Sequence, residues 1–380
     1  MNRWAVGTLL FAFAAGVTHG QSVDDLNLQI HGFATQAFLY SNVNNYLGMN
    51  TSSGSIAWTE AALNLNSQPG ENIRIGVQFH YTRLGIFGGE GITVDWALGD
   101  YRMRDWLGIR AGKVKIRWGL YNDSQDYDPG YIWSLLPENI YGIDYRSTDL
   151  SQLGVEFYGR VPLKRLGQIK YSAWYGDYFD ASDEGPIESF REDGLNFISP
   201  PGGKTPGIDL RWATPVPGLT VGGSIMAYDA TGTLTNGTYR QPLAYWPTGF
   251  TEFKYKKAFC SGQYAKLVQW QNITLQGQAP ASSVIDERDW FVMGGYHLTG
   301  NLQAGAYYAH DFFAGTDQSN PANYFRDSVV SGRYDITPNF YAKLEMHFIS
   351  GNSLGFYNVD NPNGLQKRTT LLVSKIGFIF

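Results

Sequence analysis

Segments of about ten residues in which apolar and polar side chains alternate, set apart by turn residues, recur along most of this chain. The clearest lies at 72–83. There Ile73, Ile75, Val77, Phe79 and Tyr81 fall in one phase, and Arg74, Gln78, His80 and Thr82 in the other. Successive side chains of a strand point to opposite faces, so such a segment has one greasy face and one wet face. Ile92, Val94, Trp96 and Leu98 repeat the habit, as do Leu153, Val155 and Phe157. Phe340, Ala342, Leu344, Met346 and Phe348 repeat it again. The pattern predicts strands at 27–40, 55–66, 71–83, 90–101, 105–117, 150–161, 167–178 and 206–213. It continues at 218–229, 248–257, 258–271, 288–298, 300–312, 324–336, 338–350 and 369–380, sixteen strands in all.

The connections sort by length. From the second strand onward every other link is tight, as at Ser67-Gln68-Pro69-Gly70, Thr214-Pro215-Val216-Pro217, Thr299-Gly300 and Thr337-Pro338. The alternating links are long, at 41–54, 118–149, 179–205, 230–247, 272–287, 313–323 and 351–368, with 84–89 the short exception. Transmembrane barrels have this asymmetry, with short periplasmic turns and long extracellular loops. A soluble β-sandwich has no reason to sort its turns that way. In hydrocarbon every backbone N–H and C=O needs an internal partner, which an edge-free barrel supplies. Sixteen strands enclose a lumen wide enough for water, whereas eight are filled by their own side chains. The expected fold is therefore all-β: a single transmembrane antiparallel β-barrel of sixteen strands, occupying 21–380.

Composition supports that reading. Arg3, an apolar run from Trp4 to Val17, and small residues Thr18 and Gly20 before Gln21 have the order of a secretory signal peptide at 1–20. The run is too short to span a bilayer as a helix. No later stretch reaches eighteen uninterrupted apolar residues, and mean hydropathy is −0.26, as alternating strands would give. Aromatics make up 15% of residues, which suits a protein whose Tyr and Trp rings sit at the membrane–water boundary. The formal net charge of −5, with no basic block, argues against nucleic acid as a partner. A single cysteine, Cys260, excludes an internal disulfide framework.

Candidate chemistry concentrates in the longest connection, 118–149. It holds Asp123, Asp126, Asp128, Glu138 and Asp144 together with Arg146. Its Tyr121, Tyr127, Tyr131, Trp133 and Tyr141 need something to pack on, which argues against disorder. If the apolar phase faces lipid, then Arg74, Lys115, Arg117, Arg160, Lys170 and Arg211 face the lumen as a basic wall. Alternation at 113–117 gives that phase only if a bulge follows Leu107, Ile109 and Ala111. Carboxylates facing a row of cations would set a transverse field across a wet pore, and such rows set ion preference. The same charges could equally do no more than solvate a water-filled interior.

Other motifs are weaker. Among His31, His80, His297, His310 and His347 none sits in a nucleophile context such as G-x-S-x-G, so no enzyme is expected. Gly88-Gly89-Glu90-Gly91 lacks the helix a phosphate loop requires and reads as a hairpin turn. The acids Asp180, Asp183, Glu184, Glu188, Glu192 and Asp193 lack the spacing of a dedicated calcium loop and read as a solvated face. No cofactor or metal is expected.

The last strand places Leu372, Ser374, Ile376, Phe378 and Phe380 at every second position. It resembles the C-terminal signature of Gram-negative outer-membrane proteins, and the resemblance implies that Ile376, Phe378 and Phe380 are read by the barrel-assembly machinery. The run from Gly112 through Gly119-Leu120-Tyr121-Asn122-Asp123 to Leu136-Pro137-Glu138-Asn139-Ile140-Tyr141 resembles poorly characterised proteobacterial members of the porin superfamily. The strands Tyr341–Phe348 and Thr370–Phe380 are similar too. In general porins the third extracellular loop folds inward and narrows the lumen, and 118–149 is the third connection on the long-loop side here, so the resemblance implies a long inward-folded loop. The resemblance implies an outer-membrane porin that passes small hydrophilic solutes or ions, surrounded by lipid and lipopolysaccharide, and a homotrimer. A substrate-selective channel stays open, as does a non-conducting barrel serving as an adhesin or structural envelope protein.

Overall fold

The computed structural model describes residues 27–89, 91–179 and 185–380. The expected signal peptide at 1–20, Glu90, and the acids Asp180, Asp183 and Glu184 lie outside the described residues. The strands are β1 (Gln29–Ser41), β2 (Ser55–Gly70), β3 (Ile73–Leu84), β4 (Ile92–Arg104), β5 (Leu107–Lys115), β6 (Ser151–Pro162), β7 (Gln168–Phe179), β8 (Phe197–Lys204) and β9 (Gly207–Ala213). They continue as β10 (Leu219–Leu234), β11 (Gly237–Tyr255), β12 (Ala258–Leu275), β13 (Ala281–His297), β14 (Leu302–Phe313), β15 (Tyr324–Thr337), β16 (Phe340–Gly351) and β17 (Arg368–Ile379). Two short helices, α1 (Arg146–Asp149) and α2 (Gly185–Glu192), lie in the loops.

Every pairing is antiparallel, and β1 bonds to both β2 and β17, which closes the sheet on itself. Both β8 and β9 pair with β7 on one side and β10 on the other. They are two lengths of one stave, interrupted at Thr205-Pro206, where proline has no N–H to give the ladder. The result is a closed barrel of sixteen staves. Phe380 completes the seam by exchanging backbone hydrogen bonds of 3.0 Å with Gly32.

The alternation resolves into an outer and an inner face. Ile73, Ile75 and Phe79 of β3, with Leu344 and Phe348 of β16, are exposed on the outside. Gln78, His80, Lys343, Glu345 and His347 are buried within. At the tight-turn end Tyr101, Trp106, Trp212, Tyr255, Tyr296, Tyr334, Phe340, Phe378 and Phe380 are exposed, an aromatic band of the kind that membrane barrels place at the membrane–water boundary.

Three differences from the sequence reading have local causes. The expected long loop at 230–247 is instead a hairpin, with β10 and β11 joined through Thr235 and Asn236. Asn-Gly is a strong tight-turn signal, but Pro242 and Pro247 mask the alternation around it. The extension packs Leu234 and Tyr239 with Leu195 and Phe197 from the preceding loop. The connection expected at 272–287 likewise shrinks to 276–280, because β12 and β13 pair out to Ile273↔Ala281. Finally, β5 pairs with β6 without a register shift, so the bulge expected there is absent. A positive φ of 122° at Gly112 bends the strand instead, and the chain leaves the sheet at Lys115.

The lumen is not an empty tube. Trp118, Tyr121, Ile132, Trp133, Ile140 and Tyr141 of the long loop form a buried cluster with Met226, Phe250, Phe291, Met293 and Tyr307 of the inner wall. A second cluster, toward the long-loop end, joins Tyr46, Leu47 and Phe87 to Leu135, Phe356 and Tyr357.

Candidate functional site

Residues 116–150 leave β5, cross the lumen, and return to β6, touching the barrel on several sides. On the near side Asp126 accepts from Lys115 at 2.7 Å, from Gln78 at 2.8 Å and from the Trp96 indole at 3.2 Å. Arg146, in α1, donates to both oxygens of Asp95 at 3.2 and 2.6 Å and approaches His80, which contacts Glu60 at 3.0 Å.

Across the lumen, Asp128 docks on the last two strands. Lys375 donates to its Oδ1 at 2.8 Å, while Tyr341 and Lys343 donate to its Oδ2 at 2.6 and 3.0 Å. Burial works to raise the Asp128 carboxyl, but Lys343 and Lys375 outweigh it and hold the group below the usual carboxylate range. Glu345 caps the next turn by accepting from the backbone N–H of Ser134 and of Leu135, each at 3.1 Å. His347 holds Glu345 at 2.9 Å and Asp327 at 2.7 Å.

A third set of contacts meets β10–β14. The Tyr141 hydroxyl accepts from the N–H groups of Leu120 and Tyr121 and donates to Gln263 at 2.6 Å. Trp118 lies against Trp246 with ring centroids 4.0 Å apart. The Asn139 amide donates to the carbonyls of Trp290 and His310 at 3.2 and 3.1 Å.

The five loop acids therefore have different surroundings. Asp123 alone is partly open, at 23% exposure, near Arg117 (3.6 Å) and Arg211 (3.7 Å). Asp126 and Asp128 are buried in the ion pairs above. Glu138 is buried with Oε1 unpartnered, and its carboxyl is pushed well up by burial and then by neighbouring Asp144. Asp144 is buried under the Tyr357 hydroxyl, and burial pushes it up to about 6 despite that hydrogen bond.

Of the six basic candidates, Lys115, Arg117 and Arg211 gather at the root of the loop, where Arg211 also donates to the carbonyl of Gly119 at 2.9 Å. Arg160, Lys170 and Arg211 are cross-strand neighbours on β6, β7 and β9, so they form a row. Arg160 pairs with Asp105 at the tight-turn end, at 3.0 Å. Arg74 is apart from this group and donates to Asn66.

The sequence reading missed the opposite anchor of Tyr341, Lys343, Glu345, His347 and Lys375. The signal was present, since all five share the inward phase of β16 and β17. Lys343 and Lys375 stand opposite each other across the ladder, so these two like charges need a counter-charge from outside it.

Between the loop and β7–β13 lies a cavity of about 420 Å³, lined among others by Tyr145, Tyr178, Phe190, Tyr239, Trp246 and Gln269. A closed sixteen-stave antiparallel barrel is an arrangement that solved structures share. Salmonella typhi OmpF superposes with a TM-score of 0.60 at 12% identity, covering 94% of this chain and 99% of that one. The chain has the porin fold. An anion-selective porin from Comamonas acidovorans gives a TM-score of 0.55 at 11% identity, over 93% of this chain and 99% of that one. The outer membrane channel DcaP of Acinetobacter baumannii gives 0.56 at 11% identity, over 96% and 100%. No protein-family model matches the sequence, and no curated protein does. The porin fold is thus recognisable here in three dimensions between sequences that share about one residue in nine.

Proposed function

We propose that this porin-fold protein sits in the bacterial outer membrane and passes small hydrophilic solutes by passive diffusion, narrowed by loop 118–149. The observation that carries the reading is the way the loop divides the lumen. Toward β15–β17 it is sealed by buried ion pairs, whereas toward β5–β9 the partly open side chains are Arg117, Asp123 and Arg211. In this reading solutes enter by the 420 Å³ cavity and leave along the Arg211–Lys170–Arg160 row, which runs toward the tight-turn end. Asp123 sits against Arg117 and Arg211 at the head of the basic row, so permeating ions meet charges of both signs at the root of the loop and a run of cations beyond it. Ile376, Phe378 and Phe380 serve as the assembly signal, exposed on the outer face of the closing strand. Lipid and lipopolysaccharide cover that face.

The test is electrical. Purified protein in a planar bilayer gives stepwise conductance, and D123N alters the reversal potential in a salt gradient. Silence at every salt concentration would remove the channel and favour a structural or adhesive barrel. A substrate-selective channel is the second reading, favoured by the aromatic lining and size of the cavity, which falls in the range of small-molecule sites. Saturation of conductance by one class of solute would establish it. The proposal includes a homotrimer, since OmpT of Vibrio cholerae, which shares the fold, has been solved in a trimer form. Light scattering of the detergent-solubilised protein tests it.

A further inference from the structure

We propose that Glu287, Asp289 and Asp311 form a site for a divalent cation of calcium type in the wall of the lumen. The inference rests on β13, β14 and the side chains packed against them, and does not depend on conduction.

Asp289 and Asp311 stand directly opposite each other across the ladder, and Glu287 is the next inward position of β13. Ligand oxygens of the three carboxylates lie within 4.8 Å of one another. Like charges directly opposite in a sheet repel. Here they are also buried, Asp289 at 1% and Asp311 at 0% exposure. Neither carboxylate oxygen of Asp289 has a hydrogen-bond partner, and Asp311 is satisfied at Oδ2 alone, by Ser353 at 2.7 Å. The basic side chains nearest in register serve other groups. Lys266 and Arg288 pair with Asp286, one phase away from the cluster, and Arg326 directs its Nε to His310. A buried carboxylate with neither a cation nor a donor is among the costliest arrangements in a protein interior. Three converging on one point call for a shared positive charge.

A second oxygen points the same way. Asn139 hangs its amide from the carbonyls of Trp290 and His310, the chain neighbours of Asp289 and Asp311, and its own Oδ1 is buried without a partner. An oxygen-only set of carboxylates and an amide carbonyl is the donor chemistry of Ca²⁺, which tolerates six to eight ligands in flexible geometry. Mg²⁺ demands a near-ideal octahedron and holds its water more tightly. Entry is open, because Glu287, Asn139 and Ser353 line the 420 Å³ cavity, which also supplies the remaining water ligands. A bound ion would tie the lumenal loop, through Asn139, to the wall of β13 and β14.

The experiment is calorimetric titration of Ca²⁺ into protein refolded in detergent free of lipopolysaccharide, with the heat-modifiable mobility of the folded barrel as the folding check. The expected result is one ion per chain, with a dissociation constant on the order of 10⁻⁴–10⁻³ M, as for extracellular calcium modules. Mg²⁺ should bind at least tenfold more weakly. D289N and D311N should each lose the binding, while E287Q, at the accessible edge, should weaken it and keep the fold. If wild type binds no Ca²⁺ through the millimolar range, or E287Q and D289N bind as wild type does, the acids share protons and the proposal fails.

Discussion

Replacing Asp128 by Asn tests whether loop 118–149 is held in place by its buried charges. Asp128 is the acceptor common to Lys343 and Lys375, whose side chains are 0% and 1% exposed. Lys343 keeps the carbonyls of Asp128 and Trp133, at 2.8 and 2.7 Å, and Lys375 keeps Ser134 at 3.3 Å, so neither ammonium loses every partner. Both lose their counter-charge. Removing one partner of a buried ion pair costs about 3–5 kcal/mol, chiefly because the remaining charge stays buried. At 1.4 kcal/mol per tenfold, the docked state of residues 126–133 falls by roughly a hundred- to a few-thousandfold relative to the released state. The Glu345 cap and the Tyr141–Gln263 contact survive, so release is local and the barrel stays closed.

Single-channel recording should therefore show larger or noisier openings for D128N. Chymotrypsin should also cleave at Tyr127 or Tyr131, where wild type resists. The triple variant D128L/K343M/K375M is the control, because exchanging a whole buried charge network for apolar groups is often neutral or stabilising. It should restore protease resistance. If D128N conducts and resists cleavage as wild type does, the charges do not hold the loop, and aromatic packing is the anchor.

Three further outcomes are expected. K170E combined with R160E reverses two charges of the exposed row and should move the reversal potential toward cation preference, with little change in barrel stability; no shift in a bi-ionic gradient removes that row from the passage. Asp144 and Glu138 are both raised by burial, so the folded loop binds more protons than the released loop. Their contribution to docking is therefore full at the ordinary aspartate value of 3.8 and is lost as pH climbs through about 6, whereas the contribution of Asp128, whose carboxyl is held low, is lost only on the acid side of that window. Current noise should rise across that window, and D144N should flatten the rise. F380A removes the ring stacked on Phe378 but keeps the backbone bonds to Gly32, so it should lower the yield of assembled barrel in the outer membrane more than the stability of refolded protein in detergent. Equal losses in the two assays would make Phe380 a packing residue and no more.

The sequence alone determined the staves and their order, because alternation is a local property with a period of two. β3, β16 and β17 could be read residue by residue from which positions are apolar. The hairpin at Thr235-Asn236 carries its own local signal in Asn236-Gly237, which the prolines that follow obscure. What the sequence could not decide was where the inward charges go. Asp128 meets Tyr341 and Lys343 across separations of 213 and 215 residues, and Glu345 meets Ser134 across 211. No local period links such partners; they become neighbours only when β1 pairs with β17 and the ring closes. Closure also turned the expected wet interior into a partly dry one, since a lumen of fixed width forces the loop's aromatics against Phe291, Met293 and Tyr307. That confinement buries Asp126, Asp128, Glu138 and Asp144, leaves Asp123 at the water, and sets Asp289 opposite Asp311.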